Sequence, residues 1–149
     1  MLFRELTMAD EGEIFAVVRA AFAAPPWNER WEEGPFHRYL KDILGNENSL
    51  GFGLWDGGQL AALALGRLKH WPRGVEYDID DLCTHPARQG QGAGSALLER
   101  IGEYARARGF CEVALLTRRD APAYGFYRKN GFADVAWRAW MARPCGPEA

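Results

Sequence analysis

The sequence predicts a mixed α/β (α+β) domain with six or seven strands in one mixed sheet and about four helices. Apolar residues recur at helical spacing in four segments, and short apolar or alternating runs between them end at turns rich in glycine or proline. The chain has 149 residues, of which 48% are hydrophobic and 26% charged, a composition typical of a globular domain. We therefore expect one domain over residues 1–143 and a short tail over residues 144–149.

Local signals place the boundaries of the elements. Thr7 and Asp10 form a capping box before the first helix, and Gly109 is placed to end the third. Gly57 and Gly58 turn a hairpin between two apolar strands. From the N-terminus, the predicted elements are a strand, helices over about 8–23 and 35–44, strands over 50–55, 59–68 and 75–84, a helix over 92–108, a strand over 111–117, a helix over about 120–129 and a strand over 132–141.

Charge and composition exclude several classes of protein. A formal net charge of −2 gives no bulk positive field for nucleic acid. The longest wholly apolar stretch, Leu60–Leu65, is far shorter than a membrane span, and Arg4, Glu5 and Asp10 interrupt the N-terminus where a signal peptide would be apolar. We therefore expect a cytoplasmic protein with no nucleic-acid partner and no membrane partner.

Cysteines and histidines give no sign of a disulfide framework or a metal site. The three cysteines are an odd number with no paired or metal-binding spacing, and the three histidines are likewise scattered. We therefore expect no metal. The residues concerned are Cys83, Cys111, Cys145, His37, His70 and His85.

A glycine-rich segment over residues 84–95 joins a predicted strand directly to a predicted helix. Gly90, Gly92 and Gly94 let backbone N–H groups approach an anion at the positive end of the helix dipole. The segment lacks the lysine of a Walker A loop, and Ser95 occupies the last glycine position of a dinucleotide fingerprint. The pattern indicates a phosphate-binding loop of another kind; a glycine-rich turn without a ligand is the alternative.

Two motifs carry a resemblance to a known family. Residues 89–94, QGQGAG, resemble the Q/R-x-x-G-x-G/A signature of the GNAT family of N-acetyltransferases, and residues 123–132, AYGFYRKNGF, are similar to its A-x-x-F-Y-x-x-x-G-F segment. The strand over 81–86 and the helix start over 95–98 resemble the flanks of that signature. The resemblance implies the GNAT fold and direct transfer of an acetyl group from acetyl-CoA to a primary amine.

The resemblance also implies how acetyl-CoA is held. The main chain of Leu82–Thr84 would pair with the pantetheine arm in a wedge between strands near Leu82 and Cys111, and backbone amides after it would bind the pyrophosphate. Asp120 stands where relatives commonly carry an asparagine that contacts the cofactor; a helix N-cap is its alternative role. The implied cofactor-binding residues are Leu82, Cys83, Thr84, Gln89, Gly90, Gln91, Gly92, Ala93, Gly94, Ser95, Asp120 and Tyr127.

An acidic strand end supplies candidates for the catalytic base. An aliphatic amine has a pKa of about 10.4 and must lose a proton before it attacks a thioester. By resemblance, Asp78 matches a catalytic glutamate, while Asp80 and Asp81 match positions that bind cationic groups in polyamine-acetylating relatives. Alternation puts Asp78 and Asp80 on one face and Asp81 on the other unless a bulge intervenes. A solvated strand end is the alternative.

A tyrosine is the candidate general acid. Tyr127 matches the residue that protonates the departing thiolate in many relatives, and Tyr124 is the reserve; an amphipathic core tyrosine is the alternative. Cys83 lies beside the implied thioester, where a small buried strand residue is favoured over a covalent nucleophile.

Aromatic residues outside these motifs suggest partners. Trp27 and Trp31 form a wall for an amine or cover the core between two helices, and Trp137 and Trp140 are a candidate homodimer interface. The acidic strand end favours a small cationic acceptor, a polyamine or an aminoglycoside-like amine. A protein or peptide N-acetyltransferase and a non-catalytic acyl-CoA sensor are the alternatives.

Overall fold

The structure, a computed structural model, describes residues 1–147, and the last two residues of the tail expected over 144–149 lie outside that range. Two compact units are present: the first spans Met1–Thr117 and the second begins at Arg118. Within residues 1–147 the chain forms one five-stranded sheet and four α-helices, which confirms the mixed α+β class.

The first unit holds the whole sheet and three helices. The strands lie in the order β1-β2-β3-β4-β5; the first four are antiparallel neighbours, and β5 is parallel to β4. No helix of the described residues is both long enough and apolar enough to span a membrane. The elements are β1 Leu2–Leu6, α1 Glu11–Phe22, α2 Glu33–Leu44, β2 Ser49–Asp56, β3 Gln59–Trp71, β4 Gly74–Thr84, α3 Ala93–Ala107 and β5 Glu112–Leu115, with α4 Pro122–Lys129 in the second unit.

The local signals for helix ends are confirmed. Asp10 accepts a hydrogen bond from the Thr7 backbone N–H at 2.9 Å and Thr7 accepts one from the Ala9 N–H at 3.2 Å, so the capping box forms. It opens on a single 3₁₀ turn before α1 begins. Gly109, at φ +69°, follows the end of α3 as expected.

Each face of the sheet is covered by different helices. On one face Ile14 of α1 and Leu40 of α2 pack with Leu63 and Leu65 of β3 in the main core, and all four are fully buried. On the other face Tyr104 of α3 packs edge-on against Phe52 of β2, with ring centroids 4.8 Å apart. The burial of these apolar side chains is the main source of stability in such a layered fold.

A bulge interrupts the register between β3 and β4. The ladder pairs Leu65 with Asp81 but Gly66 with Ile79, so Asp80 is an extra residue on β4. Because side chains alternate along a strand, one extra residue reverses the face of every residue that follows it.

Residues on the two sides of the bulge show this reversal. Tyr77, before the bulge, contacts Phe52 on the face that α3 covers, whereas Cys83, after it, belongs to the core beneath α1 and α2. Gly66 permits β3 and β4 to approach each other closely at the bulge, because a Cβ at this position would clash with the Asp78 carbonyl oxygen. The bulge therefore decides where the end of β4 directs its side chains.

The fifth strand is shorter than the sequence suggests. The strand predicted over 111–117 extends only over Glu112–Leu115 and pairs with β4 as far as Ile79. Beyond Ile79, β4 has no strand partner on that side among the described residues. Cys111 donates its N–H to the Val75 carbonyl at 2.8 Å, so the expected wedge cannot open beside Cys111; the ladder ends at Leu115 instead.

The second unit contains α4 and, as far as residue 147, a C-terminal segment without regular secondary structure. The predicted strand over 132–141 is wrong: these residues form no strand, and the sheet has five strands rather than six or seven. These residues are rich in apolar and aromatic side chains, as strands often are, but strand formation depends on a neighbouring ladder as well as on composition. Trp137 and Trp140 are 84% and 74% exposed.

Candidate active site

The loop between β4 and α3 is held to the β2–β3 hairpin. Arg88 donates to the Asp56 carboxylate at 2.9 Å and to the Gln59 side-chain oxygen at 3.0 Å. His85 accepts from the Ala87 N–H at 3.0 Å, so it caps the 3₁₀ turn at the start of the loop. The glycine-rich segment is therefore anchored at its first residues.

The backbone at the start of α3 is arranged to receive an anion. Gly90 and Gly92 have φ of +77° and +80°, in the left-handed region that favours glycine. Gly92 is the N-cap of α3, and no side chain caps the first turn. The first-turn N–H groups, from Ala93 to Ser95, thus point at the loop with the positive end of the helix dipole behind them.

The side chains of the loop stabilise the loop itself. Gln89 donates to the Thr84 carbonyl at 3.5 Å, and Gln91 donates to the Ala87 carbonyl at 3.3 Å. Both glutamines are exposed. The two side chains brace the main chain, which is the part of the loop that can bind a phosphate.

The end of β4 offers a free main-chain edge next to this loop. Leu82 and Thr84 pair with β3 on one side, while the β5 ladder stops before them. An open strand edge can hydrogen-bond an extended ligand arm. Cys83 is buried, and desolvation raises the pKa of its thiol, so it is a core residue and a poor nucleophile.

Three aspartates lie on one face of β4, because of the bulge. Asp78 forms an ion pair with Lys69 at 2.9 Å, and Asp80 forms one with Arg67 at 3.1 Å. Asp81 accepts a hydrogen bond from a hydroxyl on α2. The alternation expected from the sequence, with Asp81 on the opposite face, is replaced by a shared face toward α2.

Asp81 differs from its neighbours in its environment. Burial raises its pKa to about 6, and the nearby charges of Glu29 and Asp80 act in the same direction. A hydrogen bond from Tyr39 acts against this rise. Asp81 lies just before the open main-chain edge of β4. A carboxyl with a pKa near neutrality in such a place is the kind of group that accepts a proton in catalysis.

Tyr39 is the residue that sequence reasoning missed. It lies in the helix predicted over 35–44, and nothing in the local sequence links it to a residue 42 positions later. Burial, together with the Asp81 charge, raises the pKa of the Tyr39 hydroxyl, so it remains a hydrogen-bond donor. The bulge at Asp80, which directs Asp81 toward α2, creates this pair.

The two tryptophans between α1 and α2 pack against aromatic rings. Trp31 stacks on Tyr39 with ring centroids 4.9 Å apart and packs edge-on against Phe36 at 5.6 Å. Trp27 meets Phe22 edge-on at 5.6 Å. These contacts favour the interpretation in which the tryptophans cover the core.

The second unit holds the other implied site residues. Tyr127 is buried on α4 and packs edge-on against Phe132 at 5.7 Å. Tyr124 donates its hydroxyl to Asp134 at 2.7 Å. Asp120 is exposed and pairs with its neighbour Arg118, which lowers the pKa of that carboxyl.

Asp120 does not cap the fourth helix. The N-cap of α4 is Ala121, and Pro122 occupies the first helical turn. The predicted N-cap role of Asp120 is therefore wrong, because the proline starts the helix one residue later than that role requires. Among residues 1–147, no cluster of three or more histidine, cysteine or acidic side chains is arranged to hold a metal.

Comparison with known proteins identifies the class. Residues 14–132 match the sequence profile of the Acetyltransferase (GNAT) family. The mixed sheet, with the uncapped start of α3 and the open edge of β4, is thus the fold of this family. The chain belongs to the GNAT family and is an N-acetyltransferase, which also decides against a non-catalytic sensor.

Two curated relatives are similar in sequence. The N-alpha-acetyltransferase RimI of Mycobacterium tuberculosis is 31% identical over 123 residues, which cover 82% of this chain and 73% of the relative. The mycothiol acetyltransferase of Beutenbergia cavernae is 34% identical over 145 residues, or 93% of this chain. The match covers only 46% of that second relative.

Solved structures share the fold. An aminoglycoside acetyltransferase from an uncultured soil metagenomic sample, crystallised with sisomicin, superposes with a TM-score of 0.73 at 18% identity. The match covers 99% of this chain and 96% of that protein. At this level of identity the likeness establishes the fold alone.

Proposed function

We propose that this enzyme acetylates a primary amine of a small cationic acceptor, a polyamine or an aminoglycoside-like amine, with Asp81 as the proton acceptor. The observation that carries the proposal is the partly buried Asp81 carboxyl, whose pKa is raised to about 6. A group with this pKa is ionised at pH 7.5 and still basic enough to take a proton as the amine attacks.

The cofactor is held by main-chain groups in this proposal. The pyrophosphate of acetyl-CoA lies at the first-turn N–H groups of α3, supported by the left-handed backbone at Gly90 and Gly92. The pantetheine arm runs along the free edge of Leu82–Thr84. The fit rests on open donors and an unpaired strand edge, and it requires no lysine in the loop.

The reaction balances with one base and one acid. The amine nitrogen forms a bond to the thioester carbonyl carbon as its proton passes to Asp81, and the carbon–sulfur bond then breaks. Tyr127 donates its phenolic proton to the departing thiolate, a role that rests on the family resemblance of its motif. No covalent acyl-enzyme forms, in keeping with the buried Cys83 thiol.

Asp81 is preferred over its neighbours as the base. Asp78 and Asp80 each have a cationic partner within 3.1 Å, so their carboxylates are already neutralised. Glu29, whose negative charge acts on Asp81, favours a cationic acceptor at this end of the strand. The base is thus assigned to a different aspartate from the one that matches the family's glutamate position.

A protein N-terminus is the second candidate acceptor. The 31% identity to an N-alpha-acetyltransferase favours it. An α-amine has a pKa of about 8, lower than that of a polyamine amine, so the two acceptors differ in how much they need a base.

A release assay for free coenzyme A thiol separates the candidates. The protein is mixed with acetyl-CoA and, in separate reactions, spermidine, kanamycin and a peptide with an N-terminal alanine. We expect the highest kcat/KM with spermidine or kanamycin. Turnover of the peptide alone would establish the second candidate, and absence of turnover with every amine would overturn the proposal.

A further inference from the structure

The Tyr39 side chain is fixed from two sides. Its ring stacks on Trp31 with an interplanar angle of 29°, and its hydroxyl donates to the Oδ2 atom of Asp81. Trp31 is itself oriented by a hydrogen bond from its indole N–H to Glu29 at 3.0 Å. The hydroxyl therefore meets the carboxyl in one defined geometry.

The groups around Asp81 have opposite effects on the pKa of its carboxyl. From the loop before α2, Glu29 contributes a negative charge, and Asp80 contributes another from β4. The buried thiol of Cys83, two residues along the strand, is uncharged because its pKa is raised. Among the described residues, only the Tyr39 hydroxyl donates a hydrogen bond to this carboxyl and so stabilises its ionised form.

We propose that Tyr39 is a positioning residue for acetyl transfer, which holds Asp81 Oδ2 and leaves Oδ1 to accept the proton of the attacking amine. This inference rests on the proposed function of Asp81. A carboxylate with one oxygen tied to a fixed donor presents its second oxygen in a defined direction, which is what proton transfer requires.

Replacement of Tyr39 by phenylalanine separates positioning from packing. Tyr39→Phe keeps the ring on Trp31 and removes only the hydroxyl. Without its donor, the ionised form of Asp81 is less stable, so its pKa rises. Tyr104→Phe is a matched control, because the Tyr104 hydroxyl also donates to a carboxylate, that of Glu5 at 3.1 Å, on the other face of the sheet.

Two readouts are measured on both variants. Carboxyl ¹³C NMR of protein labelled at aspartate follows Asp81 directly, with the resonance assigned through Asp81→Asn. The pH dependence of kcat/KM follows the same group in turnover, with the best amine from the panel above. We expect Tyr39→Phe to raise the pKa of Asp81 measured by NMR by about half a pH unit or more. The apparent pKa at which kcat/KM falls on the acid side should rise by the same amount. We also expect kcat on the plateau to fall about tenfold, from loss of orientation.

The outcomes distinguish this inference from the function on which it rests. An unchanged titration of Asp81 in Tyr39→Phe, or an equal effect of Tyr104→Phe, would overturn the positioning role. If the acid limb persists in Asp81→Asn, the proposed base is wrong and the positioning role falls with it. If Asp81→Asn removes the limb and Tyr39→Phe leaves it in place, only the positioning role is wrong.

Discussion

The loop before α3 and the acidic end of β4 are adjacent in sequence, yet they are built in different ways. The loop presents main-chain N–H groups, shaped by Gly90 and Gly92, and its own side chains only brace it. The strand end presents side chains, and each of its aspartates has a different partner. Recognition by the main chain depends on backbone conformation, whereas acid–base chemistry depends on the identity and surroundings of one side chain.

The largest effect is expected at the strand end. Asp81→Asn keeps the shape of the side chain but cannot accept a proton, so kcat should fall about a thousandfold. The affinity for acetyl-CoA should stay within twofold, because the loop is untouched. Steady-state kinetics and isothermal titration calorimetry measure the two quantities.

Asp78→Asn and Asp80→Asn are the controls for that variant. Each removes one carboxylate charge from the same face and leaves Asp81 in place. Their kcat values should fall far less, with the main change in KM for the amine. An equal loss of kcat in all three variants would show that the face acts only through its summed charge.

Asp81 at the strand end should also make the free energy of unfolding depend on pH, with lower stability above pH 6. The loop has no such group in this account. The pKa of Asp81 is raised from 3.8 to about 6 in the folded state, so protonated Asp81 stabilises the fold below pH 4 and this contribution is lost as the pH rises through 6. Wild type should lose about 2 kcal/mol relative to Asp81→Asn between pH 4 and pH 7. Urea unfolding from pH 4 to pH 7 measures the difference, and parallel curves for the two proteins would contradict it.

The loop should respond to backbone changes. Gly90→Ala combined with Gly92→Ala places two side chains at positive φ, at a cost of about 1–2 kcal/mol for each residue, so the affinity for acetyl-CoA should fall about thirtyfold or more. Gly102→Ala in the middle of α3 is the matched control. An added Cβ there meets only the end of the Arg106 side chain at 3.4 Å, and acetyl-CoA should bind as in wild type. Titration calorimetry makes the comparison.

A smaller effect is expected in the second unit. Tyr127→Phe removes the proposed acid, and kcat should fall about tenfold with acetyl-CoA affinity retained. Tyr124→Phe, on the same helix, loses only a hydrogen bond to Asp134 and should keep its kcat. Turnover of Tyr127→Phe near the wild-type rate would remove Tyr127 from the mechanism.

Local features of the fold could be predicted from the sequence, and features that depend on distant partners could not. The capping box at Thr7 and the left-handed glycines of the loop follow from residues a few positions apart. The bulge at Asp80 and the early end of β5 depend on how neighbouring strands pair. The strand expected over 132–141 is wrong for the same reason, since a run of apolar and aromatic residues does not itself supply a partner strand.

The candidate site divides in the same way. Its glycine motif and its run of aspartates are visible in the sequence, so the class of enzyme could be predicted. The sequence does not show which aspartate differs from the others. Asp81 is distinguished by its burial and by a hydrogen bond from a hydroxyl 42 residues away in the chain.

The pH dependence of kcat/KM, measured for wild type and Asp81→Asn with the same amine, tests the central claim most directly. We predict an acid limb near pH 6 in wild type that disappears in the variant, whose residual rate follows only the ionisation of the amine. An acid limb at the same pH in both proteins would contradict the assignment of Asp81 as the proton acceptor.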